Sequence, residues 1–107
     1  MRDKYGVLKE YFGHDSFREG QDRITDSLLS GRDVLGIMPT GAGKSICYQV
    51  PALMFEGVTV VVSPLISLMK DQVSALVQSG VAAAYINSSL THAQYLKVLQ
   101  NTKNGKY

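Results

Sequence analysis

The segment DVLGIMPTGAGKS, residues 33–45, decides the fold of this chain. Its first part, residues 33–38, is a short apolar run that predicts a buried strand. The glycines at positions 41 and 43 permit turn conformations that a side chain would forbid, and they let backbone amides approach an anion closely. A helical pattern begins at about Gly43, and the positive N-terminal end of that helix points at the same place. A strand, a glycine-rich loop and a helix in this order predict a phosphate-binding loop (P-loop).

The side chains that close this loop fit a nucleoside triphosphate. Lys44 is expected to reach the β- and γ-phosphates, and the Ser45 hydroxyl is expected to coordinate the Mg²⁺ that accompanies them, so these two are the candidate catalytic residues. The strict pattern G-x-x-x-x-G-K-[ST] has glycine where this chain has Met38. The alternative is a glycine-rich turn with an exposed lysine, which the matching strand and helix disfavour. The predicted phosphate-binding residues are Thr40, Gly41, Ala42, Gly43, Lys44 and Ser45.

The remaining sequence alternates between helical and strand patterns. Residues 58–62 are β-branched throughout, as in a strand that is buried on both faces of a parallel sheet. Alternation of this kind predicts βαβ units and an α/β fold with flanking helices. The helices are predicted at Asp3 to Phe12, Gly20 to Leu29, about Gly43 to a kink or end near Pro51, Ser63-Pro64 to Gly80, and from a Thr91-x-x-Gln94 capping box to about Asn101. The third strand is predicted at residues 83–86, and Leu65, Leu68 and Met69 are predicted to be core residues.

Composition sets limits on this fold and on its partners. The chain has 107 residues, 45% hydrophobic and 19% charged, which fits one globular domain at most. A net charge of +2 neither demands nor excludes DNA. Cys47 is the one cysteine, and it is expected to be a buried hydrophobe rather than a reactive thiol. No apolar run approaches the roughly 20 residues that span a bilayer. The expectation is a soluble, intracellular protein without a membrane partner.

Two further segments accompany the P-loop. The first is FGHDSFREGQ, residues 12–21, and the second is VVVSPLISLMKDQ, residues 60–72. With the P-loop between them, the three segments resemble the RecQ family of superfamily 2 DNA helicases over essentially the whole chain. Within P-loop proteins, the replacement of glycine by Met38 is typical of helicases rather than of kinases or small GTPases. The resemblance implies that residues 1–107 are the N-terminal part of a RecA-like ATP-binding domain, incomplete at its end.

The resemblance also implies roles for individual side chains. In the first segment, Gln21 would recognise adenine, because its amide can donate to N7 and accept from the N6 amino group, and His14 and Arg18 would flank the base. The alternative for Gln21 is an exposed polar residue early on a helix. Phe12 and Phe17 are expected to be core anchors. The second segment would contact single-stranded DNA through Ser63, Pro64, Leu65 and Lys70, although Lys70 has the equally good alternative of a solvated helix face.

The family pattern extends beyond what this sequence contains. Hydrolysis needs groups that hold Mg²⁺, orient water and neutralise charge. In the family these are a later Asp-Glu pair and arginines of a second motor domain, whereas Asp71 is the only acidic residue here beyond Glu56. The 107-residue chain alone is therefore expected to bind ATP and Mg²⁺ without hydrolysing the ATP, and to be marginally stable.

The full-length protein is expected to act on DNA, in the cytoplasm or nucleoid of a bacterium or in a eukaryotic nucleus. Any zinc would be bound beyond this terminus. A P-loop nucleotide-binding domain without a DNA role is the alternative.

Overall fold

A computed structural model describes residues 3–38 and 43–107 of the chain. The described residues form five helices: α1 (Lys4–Phe12), α2 (Gln21–Leu29), α3 (Lys44–Met54), α4 (Ile66–Gln78) and α5 (His92–Lys103). They belong to two compact units, Met1–Glu56 and Gly57–Tyr107. None of the helices in the described ranges is long and apolar enough to cross a membrane.

Local sequence signals fix the ends of these helices. The Asp3 side chain caps α1 by accepting a hydrogen bond from the Gly6 amide at 2.8 Å. At the other end of α1, Gly13 takes the left-handed conformation that ends many helices. The predicted capping box of α5 is confirmed, because Thr91 and Gln94 each accept a hydrogen bond from the other's backbone amide. All five predicted helices are therefore present, with bounds within about three residues of those predicted.

The third helix runs further than predicted. The prediction was a kink or an end near Pro51, and the helix continues past the proline to Met54, so it does not end there. A proline in this position has no N–H and so forgoes one helical hydrogen bond. Cys47, Val50 and Pro51 are the buried residues of α3, and their burial offsets that loss.

The core of the first unit lies where α3 packs against α1 and α2. Val7 and Leu8 from α1 meet Val50 from α3 at its centre. Phe12 and Phe17 pack against this cluster as partly buried residues, so the prediction that they anchor the core is confirmed. Cys47 is buried, also as predicted.

The predicted parallel sheet is not formed by the described residues. Residues 33–38, 58–62 and 83–86 contain no hydrogen-bonded strand. Their apolar side chains are largely exposed, with Leu35 at 88% and Val62 at 92%. The physical reason is that a strand, unlike a helix, has no internal hydrogen bonds and is stabilised only by pairing and by burial of its faces.

The helices of the second unit share this lack of burial. Neither α4 nor α5 has a buried residue. Leu65 and Leu68, which were predicted to be core residues, are 57% and 43% exposed, and Met69 is half-buried. The core assignment for Leu65 and Leu68 is therefore wrong for this structure. Helical periodicity identifies an apolar face, but burial of that face needs an element to pack against.

Candidate nucleotide-binding site

The first residue of α2 is a buried glutamine whose amide makes hydrogen bonds through both its oxygen and its nitrogen. Gln21 is only 4% exposed, although glutamine is usually a surface residue. Its Oε1 accepts a hydrogen bond from the Arg18 backbone amide at 2.8 Å. Its Nε2 donates to the Gly43 carbonyl oxygen at 2.9 Å. The alternative that Gln21 is an exposed polar residue is therefore wrong.

The residue that receives this bond immediately precedes the P-loop helix. Gly43 is the N-cap of α3 and has left-handed backbone angles, φ 74° and ψ 44°. A Cβ added here would lie 2.3 Å from Gln21 Nε2, a distance that real Cβ atoms do not show. The backbone angles favour glycine at position 43, and a larger residue there would also displace the Gln21 amide. The second reason was not visible in the sequence.

The helix that follows has the properties of an anion site. No side chain caps its N-terminus, where the positive end of the helix dipole lies. Lys44 is exposed and Ser45 is half-buried in the first turn. A cation, a hydroxyl and uncapped amides fit the phosphates of a nucleotide and their Mg²⁺. The predicted phosphate contacts of Thr40, Gly41 and Ala42 lie outside the described residues.

The loop between α1 and α2 carries the other predicted base contacts. His14 and Arg18 are both exposed. The His14 backbone amide donates to the Leu8 carbonyl at 3.5 Å, which ties the start of the loop to α1. Arg18 Nη1 lies 3.9 Å from the point where a Cβ on Gly43 would be. Arg18 and Gln21 are thus brought to the start of α3, whereas His14 is placed at the far end of the same loop.

The contacts of Met38 explain why methionine stands where the strict P-loop pattern has glycine. Its Sδ is 3.8 Å from the Sγ of Cys47 on α3. Its methyl carbon is 3.7 Å from the point where a Cβ on Gly20 would be, at the N-cap of α2. Methionine therefore fills the space between the two helices that meet at the site, which glycine would leave empty. Burial raises the pKa of the Cys47 thiol, so Cys47 acts here as an apolar packing group.

The predicted DNA-contact segment lies in the second unit. Ser63 Oγ accepts a hydrogen bond from the Leu65 amide at 3.4 Å, just before α4 begins. Leu65 is the N-cap of α4, and its side chain makes no capping bond. Pro64 has no N–H to offer, so the amide contact expected there cannot come from Pro64 itself. Lys70 is exposed one turn into α4, which is compatible with both of its alternatives.

Lys4 is a partly buried charge that the sequence analysis did not single out. Its side chain is 14% exposed and forms ion pairs with Asp22 and Asp26 of α2. Burial by itself lowers the pKa of Lys4, but the hydrogen bonds and negative charges of the two carboxylates outweigh it and raise the pKa above its ordinary value. Asp22 and Asp26 are four residues apart and so share one face of the helix, and that spacing was the available signal.

The fold and the site together define a class of protein. Residues 18–106 match the DEAD/DEAH box helicase family, and the chain therefore belongs to it. Membership implies a P-loop fold of the RecA-like type. Within this family the resemblance to RecQ helicases is confirmed.

The relatives show how far the similarity extends. The chain is 54% identical over 102 residues to the ATP-dependent DNA helicase RecQ of Bacillus subtilis, a match that covers 94% of the chain and 17% of that relative. It is 54% identical over 99 residues to the RecQ of Pasteurella multocida, covering 92% and 16% respectively. It is 44% identical over 100 residues to the ATP-dependent helicase wrn-1 of Caenorhabditis elegans, covering 94% and 10%. The chain thus spans about a sixth of the length of the bacterial relatives.

Proposed function

We propose that this chain is the N-terminal part, residues 1–107, of the ATP-binding domain of an ATP-dependent DNA helicase. The full-length protein then couples ATP hydrolysis to translocation and strand separation, as the names of its relatives suggest. The observation that carries the proposal is the pair of bonds made by Gln21. One bond joins Gln21 to Arg18, and the other joins it to Gly43, the N-cap of the helix that would bind the phosphates.

Base selection follows from the orientation of the Gln21 amide. Its bonds to the Arg18 amide and the Gly43 carbonyl fix which end of the side chain donates and which accepts. A fixed amide is preorganised and loses little entropy when a base binds. Adenine offers N7 as acceptor and N6 as donor, whereas guanine offers two acceptors in the corresponding positions. His14 and Arg18 then flank the adenine.

Phosphate binding is assigned to the start of α3 and the loop before it. Lys44 neutralises the β- and γ-phosphates, and Ser45 holds the Mg²⁺ that bridges them. Backbone amides of residues 40–43 complete the cradle. The loop follows residues 33–38, which pair with residues 58–62 and 83–86 as parallel strands once the rest of the domain covers them.

The DNA track is assigned to the start of α4. A 13-residue helix without a side-chain cap presents amides and a positive dipole to a backbone phosphate. Ser63, Pro64 and Leu65 lead into this terminus, and Lys70 adds a positive charge. The contact is to the sugar-phosphate backbone and carries no base specificity. The protein acts where DNA is, in the bacterial cytoplasm or nucleoid or in a eukaryotic nucleus.

Nucleotide choice tests the proposal in a full-length helicase that carries this chain. The variant Gln21→Ala loses both hydrogen bonds to adenine, so the affinity for ATP should fall about 10- to 100-fold while that for GTP changes little. The matched control is Gln100→Ala, which removes an exposed amide from α5. Equal losses for ATP and GTP would refute the role of Gln21.

Turnover tests the remaining assignments. Hydrolysis by the full-length protein should rise on addition of single-stranded DNA and should be abolished by Lys44→Ala, since the γ-phosphate loses its positive charge. Hydrolysis that is indifferent to DNA would favour a nucleotide-binding domain without a DNA role. The 107-residue chain by itself should have negligible ATPase activity. Turnover by that chain, lost on Lys44→Ala, would contradict the division of labour proposed here.

A further inference from the structure

The Lys4 ammonium group lies among side chains from three parts of the first unit. It is ion-paired with Asp22 and, at 2.6 Å, with Asp26, both on α2. It also lies 5.0 Å from the ring centre of Tyr5 on its own helix and 5.6 Å from that of Phe17 in the α1–α2 loop. With two carboxylates and two ring faces around it, Lys4 joins α1, the loop and α2 at one point.

These contacts involve the sequence neighbours of the two residues that form the hydrogen bond orienting Gln21. Asp22 follows Gln21 directly in the chain, and Phe17 directly precedes Arg18. The Arg18 amide is the donor to Gln21 Oε1. Lys4 therefore holds the chain neighbour of each partner in this bond. A shift of α2 relative to the loop would lengthen the bond and turn the amide of Gln21.

We propose that Lys4 is a positioning residue for base recognition, which keeps the first turn of α2 and residues 17–18 at the separation that fixes the Gln21 amide. The inference rests on the proposed function, because it concerns the same adenine site. Lys4 touches no nucleotide in this account and acts only through Asp22, Asp26 and Phe17. Its effect is therefore on the choice between ATP and GTP rather than on phosphate binding.

The test measures ATP and GTP affinities and the melting temperature of full-length variants side by side. Lys4→Met keeps the aliphatic stem and removes the charge, and it should weaken ATP about 3- to 10-fold while GTP is unchanged. Lys4→Arg should restore the wild-type ratio of ATP affinity to GTP affinity, since a guanidinium can bind both carboxylates. Asp26→Asn, which leaves the Asp22 pair in place, should change the ratio in the same direction by less. Asp26→Asn also provides the test if Lys4→Met fails to fold.

The matched control lies on the same helix. Lys9 pairs with Asp15 at 3.6 Å, again joining α1 to the loop, but both side chains are exposed. Lys9→Met should leave both the melting temperature and the nucleotide ratio unchanged. A melting temperature that falls in Lys4→Met and Asp26→Asn while the ATP-to-GTP ratio stays at the wild-type value would show a merely structural role and overturn the inference.

The variant Gln21→Ala, measured in the same experiment, distinguishes failure of the role of Lys4 from failure of the proposed function. If Gln21→Ala lowers the ATP-to-GTP ratio and Lys4→Met does not, the adenine site stands and the role of Lys4 is refuted. If Gln21→Ala weakens both nucleotides equally, the adenine site itself is refuted, and the role of Lys4 with it. In the double variant, Lys4→Met should cause no further loss of ratio once the Gln21 amide is gone.

Discussion

Replacing Gly43 with alanine tests the packing of Gln21 against the start of α3. The backbone at Gly43 has φ +74°, and a Cβ there would lie 2.3 Å from Gln21 Nε2. Left-handed backbone costs a residue with a Cβ about 1–2 kcal/mol. The amide of Gln21 would also have to move, which removes its bonds to the Arg18 amide and the Gly43 carbonyl at about 0.5–1.5 kcal/mol each. The expected destabilisation of the first unit is the sum, about 2–5 kcal/mol.

A second glycine provides the matched control. Gly31, after the end of α2, also has a positive φ of 85°, but a Cβ there would meet nothing within 4 Å. Gly31→Ala should therefore cost only the backbone term, about 1–2 kcal/mol. Native-state hydrogen exchange of the α2 and α3 amides in the full-length protein measures both. Exchange should accelerate about 5- to 30-fold in Gly31→Ala and about 30-fold or more in Gly43→Ala, at tenfold per 1.4 kcal/mol.

The double variant Gly43→Ala with Gln21→Ala isolates the contact itself. With the amide already removed, alanine at position 43 meets no obstacle and should cost no more than alanine at position 31. The two substitutions should thus be less than additive, with an interaction of about 1–3 kcal/mol. Equal acceleration in the two single glycine variants, or additivity in the double variant, would refute the claim that Gln21 and Gly43 are in contact.

Three further predictions concern the interior of the first unit. Thr25 is fully buried and its Oγ1 has no hydrogen-bond partner within the described ranges, so Thr25→Val should raise the free energy of unfolding by about 1–2 kcal/mol in denaturant titrations. The control Thr102→Val should not stabilise, since the Thr102 hydroxyl donates to the Val98 carbonyl at 2.8 Å. The raised pKa of Lys4 means that its contribution to stability is complete below the unfolded-state pKa of about 10.4 and is lost as the pH rises through the folded-state value. The stability difference between wild type and Lys4→Met should thus be constant from pH 7 to about 10 and should shrink above it; a difference that shrinks near neutral pH would contradict the assignment. The raised pKa of buried Cys47 predicts slow reaction with thiol reagents at pH 7 in the folded protein, and labelling as fast as in denaturant would refute it.

The sequence predicted those features whose causes lie within a few residues. Thr91 and Gln94, three residues apart, form the capping box that was predicted for α5. Asp3 caps α1 through an equally local bond, although that cap was not predicted. Left-handed Gly13 is another local signal. The partners of Gln21 and Lys4 were not predicted, because Gln21 bonds to a residue 22 positions away and Lys4 bonds across 18 and 22 positions. Contacts at that range depend on how helices pack, and neither propensity nor periodicity contains that information.

The same distinction between local and distant causes applies to the two parts of the candidate site, the Gln21–Gly43 junction and the strand pattern before the P-loop. A helix satisfies its own amides, and α3 packs against both α1 and α2, so the Gln21–Gly43 junction forms without a sheet. The strand pattern at residues 33–38 is different, because a parallel strand is stabilised only by neighbours that come from elsewhere in the chain. Leu35 and Ile37 remain exposed here for that reason. Under the proposed function, base selection would therefore depend on contacts already made within the first unit. Under the same proposal, phosphate binding would depend in addition on a sheet that fixes residues 33–38 relative to α3. Substitutions at Gln21, Gly43 or Lys4 should accordingly act within the helical packing, whereas substitutions at Leu35 or Ile37 should weaken ATP and GTP alike.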